Sequence, residues 1–256
     1  SSPADRPMLE MNWGDGTQDS LPRISKTTVG IDISRNYYEG VHTFPGPAVY
    51  TVFFEDPNRN GGVANIPGSV NIPFYVESQI VINPVLGYNN SPVLLQPPID
   101  NGAIGKIFIH NANAYDPDGD SLSYELIKCT GINGLDIPGY FYPAASTSFT
   151  LDAVTGDLIW DTPTLQGEFN VAFLIREWRN GVNIGYVERD MQIDIVVTSD
   201  NPPVINAFND LCVTAGTLIS QNVTATDPDV GNLITLSATG SPLDTGFTPI
   251  SPAVFP

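Results

Sequence analysis

Asn90-Ser91-Pro92-Val93 and Asp116-Pro117-Asp118-Gly119-Asp120 return later in the chain as Asn201-Pro202-Pro203-Val204 and Asp227-Pro228-Asp229. Each landmark recurs 111 residues after its first appearance. The chain therefore holds one complete repeat, residues 89–200, and the beginning of another, residues 201–256. A period of this length, rich in β-formers and entered through a Pro-containing joint, is that of tandem β-sandwich modules. The fold class is all-β, and residues 1–88 form a separate region ahead of the repeat.

The composition agrees with that class. The 23 glycines and 23 prolines are spread evenly. Proline removes a backbone donor and glycine relaxes the backbone, so this spread forbids long helices and suits many short strands. No run with a 3.6-residue period exceeds two turns. Ten basic residues against 28 acidic ones leave a net charge of −18. Such a chain repels phosphate backbones and anionic lipid heads and attracts cations, which excludes nucleic acid as a partner. No apolar run approaches the roughly 20 residues of a membrane span. Both ends read as cut, since Ser1 is not a start methionine and the last repeat stops after Pro256. Cys129 and Cys212 sit at non-equivalent repeat positions and do not make a disulfide framework; a bridge, outside partners and free thiols all stay open.

Within the complete repeat, Phe169, Val171, Phe173 and Ile175 fall on one face of a period-2 strand. Val187, Met191, Ile193, Ile195 and Val197 give a second such face, with Gln192 and Asp194 outward. Lys106–His110, Leu122–Lys128 and Asp157–Trp160 read as further strands, with Trp160 a plug between sheets. Ahead of the repeat, Asn12-Trp13-Gly14-Asp15-Gly16-Thr17 is a tight polar turn in which the glycines permit positive φ and Asp15 ties back to backbone N–H groups. His42-Thr43-Phe44 runs through Pro45-Gly46-Pro47 into the strand Val49–Val52, and Phe74–Ile82 closes the region.

The Asn12–Thr17 turn, with Trp13-Gly14-Asp15-Gly16-Thr17, and the His42–Val52 stretch resemble the two motifs of PKD domains, an Ig-like sandwich family, with Phe44 standing for Tyr and a single Gly in the second turn. Residues 89–200 resemble the cadherin-like modules of bacterial surface proteins. Their pattern is carried by Asp116–Tyr124, Leu151–Trp160, Gly167–Phe169 and Asp200–Pro203, in that order. Together the modules resemble part of a giant gliding-motility adhesin of Bacteroidota. That resemblance implies tandem Ig-like and cadherin-like sandwiches (1–88 PKD-like, 89–200 cadherin-like, 201–256 the start of another). It also implies export by the type 9 secretion system to the cell surface, and partners in the gliding apparatus and in an extracellular surface or polysaccharide. The alternative is an accessory, sugar-binding region of a secreted polysaccharide-degrading enzyme, where PKD-like domains also occur.

The best chemical candidate is the acidic loop. Asp116, Asp118 and Asp120 alternate in a turn and can converge on Ca²⁺, a hard cation taking 6–8 oxygens. Ser121 and Ile127 stand where an EF-hand needs Gly and Glu, so that motif is rejected; Glu177 and Asp200 are candidate further ligands in a cadherin-like site. A solvated turn with Asp side chains capping amides is the competing reading. Glu177-Trp178-Arg179-Asn180-Gly181 reads as a loop in which Arg179 shields an exposed Trp178 by cation–π packing. Asp244-Thr245-Gly246 lacks the second carboxylate an aspartic protease requires and reads as a turn. His42 and His110 have no metal-ligand spacing, and no nucleophile elbow, Walker loop or His-Glu-x-x-His motif is present, so no catalytic residue is assigned. Asp19-Ser20-Leu21 and Asp120-Ser121-Leu122 match the tripeptide at which the Bacteroidota family attaches O-linked sugar, making Ser20 and Ser121 glycosylation candidates.

Overall fold

A computed structural model describes residues 5–30, 33–206, 209, 211–214, 216–240 and 243. The chain divides into two compact units, Ser1–Val196 and Val197–Pro256.

The first unit holds β1 (Met8–Asn12), β2 (Gln18–Gly30), β3 (Ile33–Tyr38), β4 (Ala48–Asp56), β5 (Phe74–Ile82), β6 (Val93–Leu94), β7 (Ile99–Ala103) and β8 (Phe108–Asn111). It continues with β9 (Ala114–Tyr115), β10 (Ser121–Ile127), β11 (Phe149–Leu151), β12 (Asp157–Trp160), β13 (Gly167–Arg179) and β14 (Val182–Val196). Among the described residues, helical structure is limited to short 3-10 turns, among them Ser69–Asn71 and Ile132–Gly134. The protein is all-β, and its pairings among the described residues are antiparallel save for β7, which lies parallel to β14, and the isolated Val63–Glu168 bridge.

One long sheet runs β10-β13-β14-β5-β4-β1-β2-β3. Across β14 it faces a smaller sheet, β11-β12-β8, and the two make a sandwich. Trp160, Leu158 and Phe108 from the small sheet meet Phe169, Val171, Phe173, Ile175, Met191, Ile193 and Ile195 from the large one. Trp160 lies edge-on to Phe169 at 4.9 Å, and its indole N–H donates to the Ala144 carbonyl at 3.1 Å, so the plug is both packed and satisfied. The face expected on β13 fills this core, as do Met191, Ile193 and Ile195 of the face expected on β14; Val187 is only half-buried outside the core, and Val197 is exposed beyond the strand.

The sheet does not stop at residue 88. β14 pairs with β5 through Gly185–Val187 and with β7 through Gln192–Val196, so one strand serves both regions. A side chain at Gly185 would place its Cβ 2.5 Å from the Gln79 carbonyl oxygen, so glycine is what lets β5 approach. The crossover between β4 and β5 strengthens the junction. Asn65 exchanges hydrogen bonds with the Asn170 backbone, donating at 2.7 Å and accepting at 2.9 Å. Val63 and Ile66 pack with Cys129, Ile137 and Ala172 in a second small core on the opposite face of the sheet. Beside it, Arg59 pairs with Asp190 at 2.6 Å, both side chains almost wholly buried, and donates to the Thr130 carbonyl at 2.8 Å. The expected boundary at 88/89 thus falls inside the first unit. The expected boundary at 200/201 lies four residues past the division at Val196/Val197.

The polar turn near the start takes its expected form. Gly14 and Gly16 have φ of 77° and 89°, and Asp15 accepts from the Thr17 N–H at 3.0 Å. His42 stacks on Trp13 at 4.7 Å and bonds Asp15 at 2.8 Å. The Thr17 hydroxyl and His42 hold the Asp15 carboxyl down to a pKa of about 2.

In the second unit, β15 (Val204–Asn206) pairs antiparallel with β16 (Thr224–Thr226). The Asp244–Gly246 triplet lies outside the described residues. Both cysteines are free thiols, Cys129 buried and Cys212 exposed.

Candidate metal centre

The acidic loop is positioned by a two-residue ladder. Val93 pairs with Tyr115 and Leu94 with Ala114, which sets the Pro-containing joint beside the turn that follows β9. Asp116 folds the loop around itself. Its Oδ1 accepts from the backbone N–H groups of Asp118 at 2.8 Å and Asp120 at 3.1 Å, while Gly119 at φ 83° closes the turn. One oxygen from each of Asp116, Asp118 and Asp120 lies within 4.8 Å of the others.

Each carboxylate has a different setting. Asp118 is clasped by Asn90, whose backbone N–H donates at 2.6 Å and side-chain amide at 2.9 Å. Those donors hold the Asp118 carboxyl below its ordinary range. Asp120 is gripped by the Arg179 guanidinium, with Nε at 2.9 Å from Oδ1 and Nη2 against Oδ2. Asp116 is only 8% exposed, and burial raises its pKa. Glu177 is 1% exposed on β13; burial pushes it up to about 7, the neighbouring Asp116 and Asp120 charges add to that, and a hydrogen bond with Asn89 opposes it.

Asp116 Oδ2 and Glu177 Oε1 are buried with no hydrogen-bond partner among the described residues. Leaving a buried carboxylate oxygen unpaired is costly, and a coordinated cation is one way such oxygens are satisfied. The donors here are all hard oxygens, the type Ca²⁺ selects. Asp116, Asp118 and Asp120 therefore fit a hard divalent cation, while Glu177 lies near enough to feel the Asp116 and Asp120 charges but outside that converging group. Asp200 belongs to the second unit, where it is exposed and accepts from the Asn232 amide at 2.9 Å.

Two features of this centre were not read from the sequence. The Glu177–Gly181 stretch is the end of β13 and its hairpin into β14, not a free loop. Trp178 is partly buried with its N–H on Ser123 Oγ at 2.8 Å, and Arg179 serves the carboxylates. The second is the Asn90 clasp. Its signal was present, because Asn201 and Asp229 repeat the 28-residue separation of Asn90 and Asp118.

The second copy repeats the local geometry. Val204 pairs with Thr226, each 111 residues beyond its counterpart in the first ladder. The Asn201 backbone N–H donates to Asp229 at 2.5 Å and its amide at 3.1 Å, while Asp229 N–H donates to Asp227 at 2.7 Å. Gly231 stands where Asp120 would be. The sugar candidates Ser20 and Ser121 are both exposed, on β2 and at the start of β10 rather than in turns. His110 is buried with Nδ1 on Asp100 at 2.9 Å, away from any metal-ligand group among the described residues.

No known protein family matches the chain, and no curated protein matches it. Among solved structures, the tandem Ig repeats of Dlar match 75% of this chain and 82% of their own length, at 13% identity and a TM-score of 0.28. No helix among the described residues is long and apolar enough to cross a membrane.

Proposed function

We propose that this chain is a non-enzymatic structural and adhesive segment of a long cell-surface filament, of the gliding-motility adhesin kind in Bacteroidota. One observation carries the reading: the joint ladder, the Asn clasp and the acidic turn are built twice, in the same register, 111 residues apart. A joint that recurs with its register intact is a device for adding modules in series, where length is the product. In this reading the type 9 secretion machinery delivers the protein, the gliding apparatus moves it, and an extracellular surface or polysaccharide is what it holds. Labelling intact cells of the native host with antibody to residues 1–196, and deleting the segment from its gene, tests this. Surface labelling and weakened attachment or gliding are expected. Absence from the surface, or unchanged attachment and gliding, would overturn the reading, and a catalytic domain in the same open reading frame would favour the accessory-region alternative.

Ca²⁺ belongs to the same proposal. Asp116, Asp118 and Asp120 would hold it, with Glu177 beside them, and it would supply positive charge next to Asp116 Oδ2 and Glu177 Oε1, the oxygens left unpaired there. Extracellular modules hold Ca²⁺ at about 10⁻⁴–10⁻³ M, and binding to the folded form alone raises stability by mass action. Millimolar Ca²⁺ should raise the melting temperature of residues 1–196, and Asp118→Ala should abolish the gain. An identical melt in chelator and in Ca²⁺ removes the cation from the proposal. Ser20 and Ser121 are the proposed glycan sites; an intact mass from native-host protein equal to the bare polypeptide would eliminate both.

A further inference from the structure

Arg179 touches more of the acidic centre than any other side chain, and every group it touches is an oxygen. Nη1 donates to the carbonyls of Leu86 and Tyr88, both at 2.8 Å. Nη2 reaches the Asn89 side-chain oxygen at 2.7 Å, Asp118 Oδ2 at 3.5 Å and Asp120 Oδ2, while Nε spans both oxygens of Asp120 at 2.9 and 3.1 Å. Carboxylates, backbone carbonyls and an amide oxygen are the ligand classes from which a Ca²⁺ shell is assembled. A planar fork of N–H donors has gathered them from two segments, residues 86–89 and 118–120. Among the carboxylate oxygens it does not reach, Asp116 Oδ2 and Glu177 Oε1 are left buried and unpartnered.

From this we propose that Arg179 and a divalent cation compete for the same oxygens, so that metal uptake is an exchange of one cation for another. The proposal rests on the cation-binding reading given above. A metal on Asp118 and Asp120 sits within a few ångströms of a guanidinium that nothing can neutralise at accessible pH, and like charges at that range repel strongly. Arg179 therefore leaves when the metal enters, and it lets go of Leu86, Tyr88 and Asn89 as it does so. Without metal, the arginine ties the segment between β5 and β6 to the acidic loop. With metal, that task passes to the ion. The joint is thus closed in both conditions, and the affinity for metal is lowered by the contacts that must first be given up.

The test is a titration of residues 1–256 with Ca²⁺, followed by calorimetry, and with Tb³⁺, followed by luminescence sensitised by the neighbouring Trp178 and Tyr88. Arg179→Gln should bind at least about tenfold more tightly than the wild type, a difference of 1.4 kcal/mol. In chelator, the same variant should be cut faster by protease within residues 83–90, and Ca²⁺ should restore resistance. Equal or weaker binding by Arg179→Gln overturns the competition while leaving the cation site standing. Binding by neither protein up to about 10 mM, beyond the extracellular range, removes the cation site and the competition together. If Arg179→Gln does not fold, Arg179→Lys decides: its ammonium cannot span the same oxygens at once, so affinity should rise a few-fold, and an unchanged affinity overturns the proposal.

Discussion

At residue 116 and again at residue 227 the chain makes the same turn, tied by the same asparagine clasp and flanked by the same ladder, yet the surroundings differ. The first copy is backed by a sandwich core and is approached by Glu177 and Arg179 from a strand about 60 residues further on. The second has Gly231 in place of Asp120, two strands of three residues, and exposed Leu218, Val230 and Leu233. The clasp and the turn are therefore local products of the Asn-x-Pro-Val and Asp-Pro-Asp segments. The setting of the candidate metal centre is not: Glu177 and Arg179 reach the three aspartates only because the β13–β14 hairpin lies beside the loop.

That contrast can be broken first by protease. None of the described residues of the second unit is buried, and opening free energy follows apolar burial. Cleavage beyond Val197 should be on the order of a hundredfold faster than within residues 89–196. Equal resistance would show that the second copy is stabilised as well as the first. Next, Trp160→Ala removes the core that backs only the first copy. It should cost the first unit about 3–5 kcal/mol by denaturant unfolding, while exchange protection of the Asn201–Asp229 clasp stays as it was.

A third test concerns the seam between β5 and β14. Glu188, 7% exposed, has its pKa pushed from 4.5 to about 8 by burial, with the Asp190 and Glu77 charges adding and Arg59 opposing. The folded state then binds more protons than the unfolded one between these values. The contribution to stability is complete below about pH 4.5 and is lost as pH rises toward and through 8. Glu188→Gln keeps an acceptor for the Glu77 N–H, which the carboxylate takes at 3.0 Å. It should flatten this dependence, adding up to about 4 kcal/mol at pH 8. Parallel pH profiles for the two proteins would contradict it. The smallest effect is expected at the clasps themselves. Asn90→Ala and Asn201→Ala each remove one amide-to-carboxylate bond and should each cost about 1 kcal/mol locally, read by hydrogen exchange at Asp118 and Asp229. Unequal costs would mean that the clasp is not as local as its repetition implies.

The sequence was most legible where the signal is periodic. Phe74–Ile82 and Asp157–Trp160 are strands with the expected bounds, and the Phe169–Ile175 face fills the core. Such patterns report a buried face directly. The crossover between β4 and β5 reads as a polar, Gly-rich loop because what anchors it is one asparagine bonded to backbone 105 residues away and one arginine paired across 131. Contacts of that kind leave no period. The same holds for Arg179, whose carbonyl acceptors lie 91 and 93 residues back in the chain. Of the candidate ligands, the three aspartates were legible because a turn gathers them without help from the rest of the fold. Glu177 was named, but its burial depends on the sheet around it.

The sharing of β14 has a mechanical meaning. In the filament proposed above, tension drawn through Val197 along β14 would meet β13 on one side, with β5 and β7 in succession on the other. Strands pulled along their own axis slide against their neighbours, so hydrogen bonds on both flanks share the load instead of parting one after another. Tension could extract this strand only by tearing both neighbouring regions at once. In the tether proposed above, the seam between β5 and β14 would spread the pull across the whole sheet.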